Sequence, residues 1–242
     1  MIKKIFQISA IFILGAIGGM IWQAILLPTL ARNPNFENFW FIKEFRERET
    51  IIFPKEEIRI QENVALSQAV EKVENIVVGI KTKTKQGKEI FGSGLILTSD
   101  GQVVTLSNLL PEESDSLLFI NGQIVSFEIL KRDDSKNLIL LKIEKNGLPT
   151  AGFLSLDNIK RGQTVFLIGT VFIDSKAEKI VNTGIVKYFG RDSIRTNIFE
   201  KDILNGSPLF DIEGNVLGIN TVDFQGIVTA LPVSEIQRFA GF

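Results

Sequence analysis

The sequence predicts an all-β domain built from two β-barrels side by side, preceded by a single transmembrane helix. Three observations predict this fold class. One long apolar segment lies near the N-terminus, short β-rich segments follow one another from residue 76 onward, and these segments form two groups separated near residues 146–154. Closely spaced strands without long helices between them are typical of sandwiches and barrels. With 242 residues, 45% of them hydrophobic, the chain is long enough for one large all-β domain or two small ones.

The N-terminal element is predicted as a membrane anchor. Residues 5–27 are apolar except for three polar side chains, and a helix of this length spans a hydrocarbon core of about 30 Å. The alternative is a cleaved signal peptide with its cleavage site at residues 29–31, but the apolar region of such a peptide is usually only about 7–15 residues long. We therefore expect a retained anchor over residues 1–31 and a single-pass membrane protein. Basic residues flank the helix on both sides, so charge alone leaves its orientation open.

Residues 32–63 are predicted as a juxtamembrane linker. Their aromatic residues alternate with charges, which favours an amphipathic helix at the membrane interface or a stalk that packs on the globular domain. Both alternatives remain open. The aromatic residues are Phe36, Phe39, Trp40, Phe41 and Phe45. Residues 65–74 then predict a short helix that leads into the strands.

Residues 64–242 are predicted to form the globular domain, with a first barrel over about 76–146 and a second over about 154–233. Tight turns are expected where Asp100-Gly101, Asn121-Gly122 and Glu213-Gly214 interrupt the β-rich pattern. The first group of predicted strands comprises residues 76–80, 90–98, 103–105, 117–120, 124–130 and 138–143. The second comprises residues 164–168, 180–188, 194–198, 216–221 and 227–231.

The composition excludes several kinds of chemistry. The 27 Lys and Arg residues are balanced by 28 Asp and Glu residues, and no basic segment with interleaved aromatics is present, so nothing favours nucleic-acid binding. The chain has no cysteine, which removes disulfides, thiolate catalysis and cysteine metal ligands. It also has no histidine, so no imidazole serves as a base near neutral pH or as a metal ligand. We expect neither a metal nor a cofactor.

Three segments in order carry a family resemblance. Residues 92–105 contain Gly-Ser-Gly, a strand, an Asp-Gly turn and a second strand; residues 133–143 run from Asp-Asp into an apolar strand; residues 208–221 begin Pro-Leu and contain a strand pair. Together they resemble the HtrA/DegP-type branch of the trypsin-like serine proteases, in which these segments precede the catalytic His, bear the triad Asp and follow the nucleophile. Residues 161–169 and 182–186 match two further stretches, and the resemblance covers about residues 70–242. It implies a trypsin-like double β-barrel.

The resemblance also implies that the catalytic triad is lost. The His of the family corresponds to Asn108, the Asp to Asn137 and, with the segment aligned on Pro208-Leu209, the nucleophile to Asn205. A carboxamide has no useful basicity near neutral pH, so Asn108 cannot take a proton from a hydroxyl. The glycine that donates to the oxyanion is replaced by Ile203, whose β-branched side chain resists positive φ.

An enzyme with another site is the alternative. Ser207 would then be an exposed nucleophile, with Lys136 or Lys201 as its base, although a lysine needs burial to bring its pKa near neutral. Asp133 and Asp134 are interpreted as a solvated turn beside basic residues and not as a metal site.

The leading hypothesis is an inactive protease homologue that binds peptides or proteins, or assembles with envelope partners. Extended peptides pair with an exposed strand edge, and the candidate cleft residues are Asn220, Thr221, Val222, Gly226, Ile227 and Val228. A purely structural envelope component is the third hypothesis. The resemblance further implies an extracytoplasmic domain and a possible homo-oligomer, since family members are often trimers. No PDZ domain is expected, because only a short helix follows the last predicted strand.

Overall fold

The computed structural model describes residues 2–32, 36, 39, 40, 62–174 and 176–242. The chain divides into an N-terminal unit, Met1–Arg59, and a C-terminal unit, Ile60–Phe242. Most of the predicted amphipathic segment lies outside the described residues. Within it, the rings of Phe36 and Phe39 lie 6.0 Å apart.

The N-terminal unit contains a long helix. It begins as α1 (Ile2–Ile21), continues through a π-helical stretch (Trp22–Leu26) and ends as α2 (Leu27–Arg32). The part from Ile11 to Leu30 is long and apolar enough to cross a membrane. The prediction of an apolar helix that could span a membrane is therefore confirmed by its length and composition.

The C-terminal unit begins with α3 (Glu62–Val73), where a short helix was predicted, and ends with α4 (Val233–Ala240). Between them lie the strands β1 (Val77–Lys83), β2 (Glu89–Ile96), β3 (Gln102–Thr105), β4 (Asp115–Ile120), β5 (Gln123–Val125), β6 (Phe127–Asp133), β7 (Leu138–Ile143), β8 (Thr164–Ile173), β9 (Lys176–Phe189), β10 (Ile194–Phe199), β11 (Pro208–Asp211), β12 (Val216–Val222) and β13 (Ile227–Pro232).

The first seven strands form one antiparallel sheet in the order β5-β4-β1-β2-β3-β7-β6. The single strand predicted over residues 124–130 is two strands, β5 and β6, at opposite ends of this order. The first predicted barrel is therefore a half-barrel, and the chain passes from one end of its sheet to the other between Val125 and Phe127. The turn at Asn121-Gly122 has positive φ at both residues, as a two-residue hairpin requires.

The last six strands form a closed barrel in the order β10-β13-β12-β11-β8-β9. Five of them were predicted from the β-rich pattern. The sixth, β11, has only four residues and begins with a proline, and it lies in the segment that the family resemblance covered. The predicted fold class, a trypsin-like double barrel behind an apolar helix, is confirmed, with the first barrel open.

The two groups of strands share a hydrophobic core. Phe166 of β8 and Phe210 of β11 are fully buried, with their rings stacked 5.3 Å apart, and both pack into the core cluster of the first sheet. A half-buried lysine also joins the two: Lys179 of β9 donates to the carbonyl of Val77 in β1 and to Thr170 Oγ1, 3.1 Å away. Burial lowers the pKa of Lys179 to about 8.

Helix α4 packs against the first sheet. Val233, Ile236 and Phe239 form its buried face. Lys131 Nζ of β6 donates to the carbonyl of Phe239 at 2.7 Å and lies 4.9 Å from the centre of its ring. The helix thereby ties the C-terminal end of the closed barrel to β6 of the half-barrel.

Candidate functional site

The three residues predicted at the triad positions lie on three loops of the C-terminal unit. Asn108 is in a 3-10 turn (Ser107–Leu109) that follows β3, and Asn137 directly precedes β7. Asn205 follows a second 3-10 turn (Asp202–Leu204) and precedes β11. The first two loops belong to the half-barrel and the third to the closed barrel.

The loop of the closed barrel is bonded directly to β2 of the half-barrel. The amide N–H of Ser93 donates to the carbonyl of Asn205 at 2.9 Å. At Gly92, a side chain would collide with Leu109 and come within 2.9 Å of the same carbonyl. Glycine is therefore needed at position 92 for β2 to approach the loops that contain Leu109 and Asn205. The site forms where the half-barrel and the closed barrel meet.

Asn108 and Asn137 are brought together. Asn137 Oδ1 accepts from the N–H of Asn108 at 3.0 Å and from Ser107 Oγ at 3.2 Å, while its carbonyl accepts from the N–H of Ser107 at 3.2 Å. Asn137 has φ of 53°, a left-handed conformation that asparagine tolerates better than most residues. Its amide therefore holds the 3-10 turn, and the side chain of Asn108 is exposed.

Asn205 is not joined to the other two. In the part of the chain that the structure describes, no hydrogen bond links it to Asn108 or Asn137. Its Oδ1 accepts instead from the N–H of Val222 at 2.8 Å, at the end of β12. Its own N–H donates to the carbonyl of Asp202 at 3.0 Å within the 3-10 turn.

Asn108, Asn137 and Asn205 have carboxamide side chains, which do not form a proton relay with one another. Acyl transfer needs a base beside the nucleophile and N–H groups aimed at the developing oxyanion. The three triad-equivalent side chains are carboxamides, and the N–H of Asn205 is already bonded inside its own turn. Ile203 is not among the described non-glycine residues with positive φ, so the loop also lacks the backbone conformation expected of the glycine it replaces.

The carboxylate beside the Asn108 turn is a poor base. Hydrogen bonds from Arg132 hold the pKa of Asp134 below its ordinary value. Neighbouring Asp133 accepts from Ser135 Oγ at 2.6 Å and from the N–H of Lys136 at 3.1 Å, which makes it the cap of a solvent-facing turn.

Ser207 is buried directly before β11. The prediction that its hydroxyl would be exposed is wrong: the residue is fully buried, and its Oγ lies 3.1 Å from Asn220 Nδ2. Gly206, with φ of 80°, turns the chain inward just before it. Lys136 Nζ pairs with Glu235 of α4 at 3.0 Å, and Lys201 is exposed.

Of the six candidate cleft residues, Val222 is the one whose backbone N–H is bonded by the side chain of Asn205. The N–H and C=O of Asn220 are paired with Ser207 and Gly206. Thr221 faces Thr229 in the β12–β13 ladder. The remaining three candidates, Gly226, Ile227 and Val228, lie in or beside β13, between β10 and β12. The sequence did not reveal that Asn205 itself bonds Val222, because that contact depends on how the nucleophile-equivalent loop folds.

Comparisons with known proteins agree with this fold. The family model of the trypsin-like peptidase domain matches residues 92–219, more than half of the chain. A probable periplasmic serine endoprotease, DegP-like, from Pseudomonas fulva is 29% identical over 60% of this chain and 33% of its own length. The putative serine protease HhoB of Synechocystis is 26% identical over 62% of this chain and 39% of its own length. The chain thus spans between a third and two fifths of these curated relatives.

Solved structures show the same architecture. The HtrA-type protease AlgW, solved with a tripeptide, matches with a TM-score of 0.65 and 23% identity over 73% of this chain and 62% of its own. The serine endoprotease from Yersinia pestis matches with the same TM-score and identity over 73% of this chain and 65% of its own. With the half-barrel, the closed barrel and the family model in agreement, this chain belongs to the trypsin-like peptidase domain family, as an HtrA-like member.

Proposed function

We propose that this chain is a membrane-anchored, catalytically inactive homologue of the HtrA-type proteases that binds extended peptide segments where its two groups of strands meet. One observation carries the proposal: asparagine occupies all three triad-equivalent positions. Asn137 serves as the cap of a turn and Asn205 as a hydrogen-bond acceptor for a strand edge. Both side chains stabilise the backbone through these hydrogen bonds, and neither bond transfers a proton.

The loss of hydrolysis follows from the missing base. A serine or water nucleophile must give up its proton as it attacks, and the triad-equivalent side chains of this site do not accept it. The internally bonded N–H of Asn205 removes one oxyanion donor as well. Loss of a single such donor typically lowers kcat by about 10²–10³-fold.

The binding role rests on the strand edge at Val222. Extended peptides bind to such edges through backbone hydrogen bonds, which require no catalytic residue. The edge lies next to Asn205, so a peptide paired there would cross the former catalytic position.

The anchor and the location are proposed together. The helix from Ile11 to Leu30 has the length and composition of a membrane span. The curated relatives include proteins named periplasmic, such as the one from Pseudomonas fulva. An extracytoplasmic domain held at the membrane agrees with both observations, and assembly with further copies or with other envelope proteins remains a prediction.

Binding of labelled peptides to the full-length protein in detergent micelles tests this function. The probe is a set of fluorescein-labelled ten-residue peptides that cover an unfolded protein, with fluorescence anisotropy as the readout. We expect saturable binding that Val222→Glu abolishes, because the new charge stands at the edge. Ile129→Glu is the control for the added charge: Ile129 is exposed on β6 of the half-barrel, and its substitution should leave binding unchanged. An absence of saturable binding would leave the purely structural role.

The alternative, hydrolysis by Ser207 with Lys136 or Lys201, is tested on the same samples. A sulfonyl fluoride reacts with an activated serine, and intact-mass analysis detects the adduct. We expect no adduct, because the hydroxyl of Ser207 is buried. An adduct that is lost in Ser207→Ala would establish the alternative.

A further inference from the structure

Val222 is the first residue of β12 beyond the pairing with Ser207 and Gly206 whose backbone groups face the side of β11. Alternate residues of a strand direct their N–H and C=O groups to opposite neighbours. On the side of β11, Asn220 is paired with Ser207 and Gly206, and the β11 ladder goes no further. The next residue that faces this side is Val222. An added strand would therefore make its first backbone hydrogen bond there.

Asn205 already occupies this position. Its Oδ1 lies 2.8 Å from the nitrogen of Val222, a normal length for an amide hydrogen bond. The residue that supplies the oxygen is itself fixed, since its carbonyl accepts from Ser93 and its N–H donates to Asp202. The side chain consequently extends from a rigid backbone to the strand edge.

The side chain of Asn205 carries the same chemical group as the peptide backbone that would bind at this N–H. The carboxamide of asparagine is an amide, and its oxygen is the acceptor that a peptide carbonyl would offer to the same N–H. A serine hydroxyl at this position would lie one bond nearer the backbone and would lack the planar amide. The substitution at position 205 thus adds an internal substitute for a bound peptide.

We propose that Asn205 competes with peptides for the N–H of Val222 and so limits the affinity of the strand edge. This inference rests on the proposed peptide-binding function and adds to it how binding is restrained. A peptide that pairs with Val222 must first displace the side chain of Asn205, which lowers the apparent affinity by the strength of the internal hydrogen bond.

Two substitutions at position 205, made in the full-length protein in micelles, show whether the oxygen that accepts from Val222 limits peptide binding. Asn205→Ala removes the acceptor, whereas Asn205→Asp keeps an oxygen in place and adds charge to the hydrogen bond. Hydrogen exchange, measured without peptide, follows the amide of Val222, with the amide of Asn220 as the internal reference because its bond to Ser207 does not involve the changed side chain. Anisotropy with the labelled ten-residue peptides then gives the affinities.

In Asn205→Ala we expect the Val222 amide to exchange at least about tenfold faster, while Asn220 is unchanged. Peptides should bind about two- to tenfold more tightly, which is the net value of one hydrogen bond expressed as affinity. Asn205→Asp should keep the protection of Val222 and bind peptides no more tightly than the unchanged protein does.

Unchanged protection of Val222 in Asn205→Ala would overturn the inference, and so would faster exchange without tighter binding. Binding that is equal in all three proteins contradicts the competition but leaves the proposed function intact. Absence of binding in all three overturns both, and the exchange data show in that case whether the hydrogen bond exists.

Discussion

Asparagine has nearly the shape of aspartate but no carboxylate, and this difference decides what Asn137 does. Its Oδ1 accepts the N–H of Asn108, a bond that an aspartate oxygen would make equally well. The amide therefore preserves the geometry of the turn without the negative charge that would stabilise an imidazolium. With asparagine also at position 108, there is no imidazolium to stabilise.

Substitutions at Asn137 test this structural role. Asn137→Ala loses two hydrogen bonds and places a Cβ without a local polar partner at φ of 53°, so we expect a loss of about 2–3 kcal/mol in the free energy of unfolding. Asn137→Gly keeps the backbone conformation and should lose about 1–2 kcal/mol. Asn137→Asp retains the acceptor and should change stability by less than about 1 kcal/mol. Urea unfolding measures the free energy of unfolding of the three variants and so ranks them. Equal losses of free energy in all three would rule out the role of Asn137 as a cap.

The sequence predicted which residues stand at the triad positions, and this assignment stays a prediction, whereas the contacts of these residues could not be predicted. The segment that begins Pro208-Leu209 placed Asn205 at the nucleophile position, and Asn137 followed from the Asp-Asp segment. The burial of Ser207 was missed, because it depends on how the loop with Gly206 in a left-handed conformation folds, which spacing does not reveal. The bond from Val222 to Asn205 was missed for the same reason.

At the scale of elements, the pairing of the strands in the closed barrel leaves few backbone groups free to bind a peptide. Each of its six strands has a neighbour on both sides, so free backbone groups occur only where a ladder ends. Residues 220–222 and 226–228 were expected to form the cleft together. Within those ranges, only Val222 has backbone groups that face the side of β11 beyond its last pairing, because Thr221 faces β13 and β13 is covered by β10.

Strand positions followed from alternation and turn residues, whereas barrel closure did not. The hairpin at Asn121-Gly122 and the apolar strand over residues 138–143 were predicted from local pattern alone. The split of residues 124–130 into β5 and β6 was not, because the break at one residue leaves the apolar pattern intact. Closure depends on pairings between distant strands such as β9 and β10, which no local pattern specifies.

At the scale of the whole C-terminal unit, Lys179 makes a polar contact at the apolar junction between the half-barrel and the closed barrel. It reaches from β9 to the carbonyl of Val77, and burial lowers its pKa from 10.5 to about 8, while the charge of Glu74 partly opposes the shift. A folded-state pKa below that of the unfolded chain means that the charged amine destabilises the junction at neutral pH. That penalty is relieved as the pH rises from about 8 to 10.5.

The comparison of Lys179→Met with the unchanged protein tests whether the protonation of Lys179 changes the stability with pH. Between pH 8 and 10.5 the unfolded chain binds the proton that the folded protein has released, so stability rises with pH. The free energy of unfolding of the unchanged protein, minus that of the variant, should increase by up to about 3 kcal/mol over this range, because each pKa unit corresponds to about 1.4 kcal/mol. Urea unfolding at several pH values measures it, and the subtraction cancels the other titrating groups. A difference that does not vary with pH would show that Lys179 is solvated.

Hydrolysis of casein by the purified full-length protein is the most direct measurement of whether this site has lost its chemistry. At micromolar protein, over hours and between pH 5 and pH 10, we expect no more acid-soluble product than from buffer, and the same from Asn205→Ala and Ser207→Ala. The pH range matters because a lysine base would act only where it is neutral. Sustained hydrolysis that disappears on changing one side chain, whether Asn205 or Ser207, would contradict the loss of catalysis.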